Sequence, residues 1–136
     1  MVNYRHNFYY CKKGIEKMQK ILLSGKIHTA RITHAELDYE GSLEIDAELL
    51  EQAHILPYEK ILVVNKSNGE RLETYAIPGA AGSRRFCLNG PAAHKGKKGD
   101  TITIMSFSLF SEAEAPAHKP RVIVLDENNE IVAQRN

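Results

Sequence analysis

Short runs of strand-forming residues separated by turn residues dominate the chain from Met18 onward. This pattern is typical of all-β barrels and sandwiches. We interpret it as six or seven strands of a small barrel, because closure removes exposed sheet edges. Eight candidate segments could supply these strands: residues 20–23, 27–33, 60–64, 71–77, 84–88, 101–110, 122–125 and 130–133.

Two candidate hairpins stand out among these segments. Asn68-Gly69 separates the segments 60–64 and 71–77, and this dipeptide favours a tight hairpin turn because both residues tolerate positive φ. Residues 126–129 separate the last two segments in the same way.

One short helix is predicted between the strands. Asp46 is a good N-cap for a helix that continues to residues 51–53 and must stop before Pro57. Leu49 and Leu50 supply its apolar face.

Composition limits the class of protein. The 136 residues fit one domain, and 43% hydrophobic with 26% charged residues is typical of a globular protein. Two cysteines, Cys11 and Cys87, cannot form a disulfide scaffold, which favours a reducing compartment, the cytoplasm. A net charge of +1 argues against a nucleic-acid or membrane coat, and no apolar run is long enough to cross a bilayer.

Residues 1–17 are polar and aromatic without helical or strand periodicity. We expect an N-terminal extension to the patterned domain 18–136. An arm, an upstream start codon and a cloning remnant are all compatible with this sequence.

Metal and phosphate sites are not indicated by the spacing of their usual ligands. No Cys-x-x-Cys, His-Glu-x-x-His or Gly-rich phosphate motif occurs. The basic run 94–99 is interpreted as a solvated turn. Of the potential ligands, His28, His34, His54 and His94 are therefore expected to have dispersed structural or surface roles, and Cys87 is expected to be a small buried hydrophobe within its strand.

The most informative stretch is Tyr39-Glu40-Gly41-Ser42, although a Gly-Ser pair alone is an ordinary turn. The chain from Met18 to about Phe110 resembles the bacterial pyruvoyl-dependent aspartate decarboxylase family in the order and spacing of its motifs. The motifs that carry the resemblance are residues 25–28, 32–42, Arg71, 74–77, 82–84 and 88–94.

This resemblance implies a fold and a cofactor. The fold is mainly β, a small six-stranded double-psi β-barrel with short helices, assembled as a homotetramer. The chain is expected to cleave itself between Gly41 and Ser42 into β and α chains, and Ser42 becomes a pyruvoyl group. Gly41 is expected to permit a strained backbone conformation and to let the hydroxyl approach the carbonyl without a Cβ clash. No metal and no pyridoxal phosphate are implied.

The same resemblance assigns the remaining roles. The pyruvoyl ketone condenses with the amino group of L-aspartate to form a Schiff base, and loss of CO2 leaves β-alanine for pantothenate and coenzyme A synthesis. Tyr75 is the proton donor, Thr74 and Asn89 assist processing, and Arg71 and Lys26 bind the two carboxylates. Substrate is also contacted by Thr74 and by the loop of Gly90, Pro91 and Ala92.

A binding module is the rival interpretation. A catalytically silent barrel could use its basic residues to hold an acidic metabolite or a nucleic acid, but it would gain nothing from backbone cleavage. Some family members mature with an activator protein and others alone, and both routes are compatible with this sequence.

Overall fold

Nine strands and three short helices make up residues 18–136, the part of the chain that the computed structural model describes. The predicted extension 1–17 lies outside the described residues. The helix α1 spans Ala47–Gln52, and two 3-10 helices span Gly90–Lys95 and Ala115–Ala117. The strands are β1 (Gln19–Arg31), β2 (His34–Glu36), β3 (Ser42–Asp46), β4 (Lys60–Asn65), β5 (Arg71–Gly79), β6 (Phe86–Asn89), β7 (Thr101–Ser111), β8 (Arg121–Leu125) and β9 (Ile131–Arg135).

These strands pair in the order β2-β6-β3-β5-β4-β7-β1-β8-β9. The antiparallel pairs β4/β5 and β8/β9 confirm the two predicted hairpins. Strand β3 is parallel to β5 on one side and antiparallel to β6 on the other. This mainly β structure with few short helices agrees with the small barrel-like fold that the sequence predicts.

The turn between β4 and β5 differs from the predicted Asn-Gly turn. Gly69 has a φ of 76°, but Asn68 is not in the left-handed region. The backbone N–H of Asn65 donates to Glu70 O at 2.8 Å, which leaves a loop over residues 66–69. The Asn68 side chain stabilises this longer loop by accepting from Glu70 N at 2.9 Å.

Helix α1 confirms the predicted cap. Asp46 Oδ1 accepts from the backbone N–H of Glu48 at 2.9 Å, and Leu49 and Leu50 are buried beneath the helix. The helix ends well before Pro57, as expected.

Asp46 also connects the end of β3 to the loop before β6. Its carboxylate accepts from the backbone N–H groups of Gly82 at 2.9 Å and Arg84 at 2.7 Å, and from Arg84 Nη1 at 3.2 Å. Burial raises the pKa of Asp46, but these donors and Glu48 N outweigh burial and hold the pKa below its usual 3.8. The ionised carboxylate therefore stabilises this junction.

Strand β1 is continuous where the sequence predicts two strands separated at Ser24-Gly25. Gly25 is buried, and a Cβ there would collide with the carbonyl oxygen of Ala53 and lie 3.0 Å from Ser106 Oγ. This glycine therefore marks a close approach within the strand and not a break in it.

Strand β3 was not predicted. Residues 42–46 alternate polar and apolar side chains, as a half-buried strand does, but the polar Ser42 and Asp46 at the two ends are buried as well. The short β2 and the 3-10 helix over Gly90–Lys95 were also not predicted.

The described chain divides into two compact units. The larger unit, residues 23–107 and 119–136, contains a continuous hydrophobic core. Its fully buried large side chains include Ile27, Ile32, Leu43, Ile45, Leu49, Ile61, Phe86, Leu88, Ile102, Ile104 and Ile123.

The smaller unit includes residues 18–22 and 108–118 of the described chain. Glu112 N donates to Met18 O at 3.1 Å, and Ser111 Oγ donates to Glu114 Oε1 at 2.7 Å. Among residues 18–136, no helix has the length and apolar character needed to cross a membrane.

Candidate active site

Ser42 is a buried polar residue at the first position of β3. It pairs with Asn89 across the antiparallel β3/β6 ladder, and both residues are at most 2% exposed. Asn89 Nδ2 donates to Ser42 Oγ at 3.2 Å. The predicted serine and its predicted processing partner are therefore in direct contact.

Gly90 packs directly against the residues that precede Ser42. It has a φ of 64°, in the left-handed region that favours glycine. A Cβ on Gly90 would lie 2.5 Å from the carbonyl oxygen of Tyr39 and 2.8 Å from the backbone nitrogen of Gly41. This close approach excludes any side chain at position 90 without displacement of the 39–41 backbone.

Gly41 is less constrained than Gly90 by the residues that pack around it from elsewhere in the chain. Its φ lies outside the left-handed region. Apart from its two chain neighbours, a Cβ at this position would meet Pro91 Cδ, at 3.6 Å, which is an ordinary van der Waals contact. The strict steric requirement for glycine falls on Gly90.

A pocket of about 330 Å³ opens beside Gly41. This volume lies at the small end of the usual range for ligand sites, which suits a small substrate. Four predicted site residues line it together with three others; the complete lining is Gly41, Leu72, Glu73, Thr74, Pro91, Ala92 and Lys95.

Lys95 is a pocket residue that the sequence analysis missed. The basic run 94–99 was interpreted as a solvated turn, but Lys95 is half-buried and lines the pocket. Its Nζ forms an ion pair with Glu70 Oε2 at 2.8 Å. Predicting the 3-10 helix over Gly90–Lys95 from the sequence would have indicated that Lys95 lies near the pocket.

Strand β5 presents Thr74 and Tyr75 in opposite directions. Thr74 is half-buried and lines the pocket, whereas Tyr75 is 37% exposed. Ala76 pairs with Leu43 in the parallel β3/β5 ladder, so the same register continued by one residue places Tyr75 level with Ser42. Arg71 is exposed and shares the face of Tyr75 by the two-residue repeat.

No side-chain hydrogen bond or ion pair connects Arg71 or Lys26 to Ser42 within the described residues. Within residues 18–136, neither side chain makes a hydrogen bond or an ion pair. Lys26 lies on β1, and β5, β4 and β7 separate β1 from β3 in the strand order. Both cations remain uncompensated in the described part of the chain.

His28 lies two residues from Lys26, and its Nδ1 is buried without a hydrogen-bond partner. Burial lowers the pKa of His28, and the positive charge of Lys26 lowers it further. A neutral imidazole therefore accompanies the Lys26 ammonium on β1.

Cys87 lies two residues before Asn89 on β6 and is fully buried, as predicted. Its thiol also donates to Asn89 Oδ1, with a sulfur–oxygen distance of 3.2 Å. Burial raises the pKa of this thiol. The sequence analysis treated Cys87 as a small hydrophobe and missed this contact with the site.

Residues 18–132 match the sequence profile described as Aspartate decarboxylase. The chain belongs to the aspartate decarboxylase family. It is 50% identical over 118 residues to the aspartate 1-decarboxylase of Salinibacter ruber. The aligned residues cover 87% of this chain and 81% of the relative.

Two further relatives carry the same name. The aspartate 1-decarboxylase of Syntrophobacter fumaroxidans is 52% identical over 86% of this chain and 94% of the relative. The aspartate 1-decarboxylase of Clostridium kluyveri is 54% identical over 84% of this chain and 90% of the relative. All three matches confirm the family that the sequence motifs indicate.

For an aspartate decarboxylase family member, the structure divides the predicted site into two groups. Ser42, Asn89 and Gly90 are joined by direct contact or close packing, and Gly41 shares a pocket with Thr74, Pro91 and Ala92. Lys26 and Arg71 stand outside these contacts. Tyr75 is linked to Ser42 through strand register alone.

Proposed function

We propose that this chain cleaves itself between Gly41 and Ser42 and then converts L-aspartate to β-alanine and CO2, a step that supplies pantothenate synthesis. The observation that carries this proposal is the buried Ser42, which accepts a hydrogen bond from Asn89 and directly follows a pocket-lining glycine. A buried hydroxyl at this position has no evident binding role.

Cleavage is a rearrangement of the chain's own atoms. Ser42 Oγ attacks the Gly41 carbonyl carbon, the C–N bond breaks, and the chain is joined by an ester. Elimination then breaks the Cβ–Oγ bond of residue 42 and releases the Gly41 carboxylate. One water hydrolyses the resulting dehydroalanine, and ammonia leaves, so the new α chain begins with a pyruvoyl group.

Asn89 and Thr74 are suited to assist the first step. Asn89 Nδ2 holds the hydroxyl oxygen in place at 3.2 Å. Thr74 lines the same pocket as Gly41, where its hydroxyl can donate to the oxygen that becomes negative when the carbonyl is attacked. Donors placed before the reaction need no reorganisation as the charge develops.

The residues around position 42 fit a pyruvoyl group. The 330 Å³ pocket lies beside the bond that would open, and Asn89 pairs with residue 42, where the ketone would form. Once formed, the ketone supplies the electron sink that no unmodified side chain provides. No metal or pyridoxal phosphate is part of this proposal.

The other residues bind substrate and move a proton. Arg71 offers a fixed guanidinium fork, and Lys26 offers a second cation, for a substrate with two carboxylates. Pro91 and Ala92 line the pocket and Gly90 directly precedes them, so the backbone of this loop is available to the substrate. Tyr75 holds a proton on its phenol oxygen for the carbon that loses the carboxylate.

A homotetramer of processed α and β chains is part of the proposal. Lys26 is far from Ser42 in the strand order, so a neighbouring subunit can supply it. Leu56 and Tyr58 are 69% and 76% exposed, and such apolar side chains suit a subunit interface. A reducing compartment, the cytoplasm, suits the free thiol of Cys87.

The test combines cleavage and turnover in purified protein. Wild type is expected to form β-alanine from L-aspartate, and Ser42→Ala is expected to remain uncut and inactive. The chain contains a second Gly-Ser pair, Gly82-Ser83, in an exposed loop, so Ser83→Ala is the matched control and should behave as wild type. An uncut wild type that binds acidic metabolites or nucleic acid would favour the binding-module alternative. Addition of a cell extract to uncut precursor distinguishes activator-dependent from spontaneous cleavage.

A further inference from the structure

Three side chains on β3 and β6 form a buried chain of hydrogen bonds. Cys87 Sγ donates to Asn89 Oδ1 at 3.2 Å, and Asn89 Nδ2 donates to Ser42 Oγ at 3.2 Å. The three residues are at most 2% exposed. Cys87 and Asn89 share one strand face by the two-residue repeat, and Ser42 is the cross-strand partner of Asn89.

The orientation of the Asn89 amide decides what Ser42 experiences. In the observed orientation, Nδ2 donates to the serine oxygen, which leaves the hydroxyl proton free to depart during attack. In the flipped orientation, Oδ1 would instead accept a hydrogen bond from the serine hydroxyl, which would hinder loss of its proton. A donor beside Oδ1 favours the first orientation, because in the flipped amide an N–H would face the sulfur, which is only a weak acceptor.

We propose that Cys87 is a positioning residue for self-cleavage, whose thiol holds the Asn89 amide in the orientation that donates to Ser42 Oγ. This inference rests on the proposed function, since it concerns the rate of that cleavage. The thiol can serve as a lasting donor because burial raises its pKa and keeps the proton on sulfur at neutral pH. Cys87 also has a backbone acceptor, Leu88 O, but at 4.0 Å this contact is the longer one.

The experiment compares two substitutions at position 87 that differ in one property. Cys87→Ala removes the donor, and Cys87→Ser keeps a donor of similar size. Uncut precursor of each full-length variant is isolated quickly, and the first-order cleavage rate is followed by intact mass well below the melting temperature. Ile123→Val is the packing control, because it also removes one heavy atom from a fully buried strand residue.

Cys87→Ala is expected to cleave about tenfold more slowly than wild type, because the buried Asn89 oxygen loses its partner. Cys87→Ser should cleave within about twofold of wild type, and so should Ile123→Val. This rescue by serine is a result that a merely space-filling cysteine would not give.

Other results would overturn the inference in distinguishable ways. If Cys87→Ala cleaves as fast as wild type, or if a folded Cys87→Ser is as slow as Cys87→Ala, the thiol does not position Asn89. If Cys87→Ala fails to fold, the serine variant decides alone, and slow cleavage in it contradicts the proposal. If wild type itself is never cut, the proposed function fails first, and this inference fails with it.

Discussion

Asn89 Nδ2 donates a hydrogen bond to Ser42 Oγ across the β3/β6 ladder, at 3.2 Å in a site from which solvent is excluded. This contact exists in the uncut chain, before any pyruvoyl group can form. The precursor fold is therefore already arranged around the hydroxyl that would attack the backbone.

Thr74 and Tyr75 separate the two proposed chemistries at adjacent positions. Tyr75→Phe removes one hydroxyl from a partly exposed ring and is expected to fold and cleave normally, but to form β-alanine about 10²–10⁴-fold more slowly. Thr74→Val should instead accumulate uncut precursor. Cleavage by mass spectrometry is measured beside β-alanine formation for both variants. A Tyr75→Phe protein that is fully cut and as fast as wild type would remove Tyr75 from the mechanism.

Arg71 is expected to bind a substrate carboxylate. Arg71→Ala should fold and cleave, because the exposed side chain has no ion pair within the described residues. Its kcat/KM for L-aspartate should fall by an amount equivalent to about 2–5 kcal/mol. Lys98→Ala, at another exposed cation, should keep wild-type kinetics. If Arg71→Lys kept the wild-type kcat/KM, a bidentate contact between the guanidinium and the substrate carboxylate would be refuted.

Gly90 and Gly41 should respond differently to a methyl group. In a Ser42→Ala background, where every protein is one uncut chain, Gly90→Ala is expected to lose about 2 kcal/mol or more of unfolding free energy, because it combines positive φ with backbone collisions. Gly41→Ala should change stability by no more than about 1 kcal/mol. Urea denaturation measures both, and equal losses would contradict the packing of Gly90 against residues 39–41.

Asp46 should make stability depend on acidity. The pKa of its carboxyl is below 3.8 in the folded chain, so its contribution is present above the unfolded pKa and disappears as the pH falls through the folded pKa. In the Ser42→Ala background, Asp46→Asn is expected to cost about 1.5–3 kcal/mol at pH 7. The difference from the parent should shrink as the pH falls below 3.8. A gap that stays constant down to pH 3 would show that ionisation of Asp46 is not involved.

Local rules predicted the elements that local residues control. Asp46 caps α1 because its own carboxylate accepts from Glu48 N, and the β4/β5 hairpin forms around Gly69. Strand β3 escaped prediction although Leu43 and Ile45 alternate with polar residues, because Ser42 was assigned to a Gly-Ser turn and Asp46 to a helix cap. Both end residues are buried, and tertiary hydrogen bonds satisfy them. No local pattern reports such partners.

The candidate site was predicted through family motifs, and its physical arrangement was not. Motifs identified Ser42 and Asn89, but only the fold shows that Cys87 contacts Asn89 and that Lys95 lines the pocket. The sequence draws attention to Gly41, the glycine at the cleaved bond, and not to Gly90. The structure instead puts positive φ and the close backbone contacts at Gly90.

The intact mass of freshly purified and then aged protein tests self-cleavage most directly. The account predicts conversion of the 136-residue chain into a 41-residue and a 95-residue chain, with Ser42→Ala uncut under the same conditions. The larger fragment should be lighter by one ammonia than a chain that begins with an intact serine, which distinguishes pyruvoyl formation from proteolysis. A wild-type chain that stays whole while forming β-alanine at full rate, or a fragment that keeps its serine, would contradict the account.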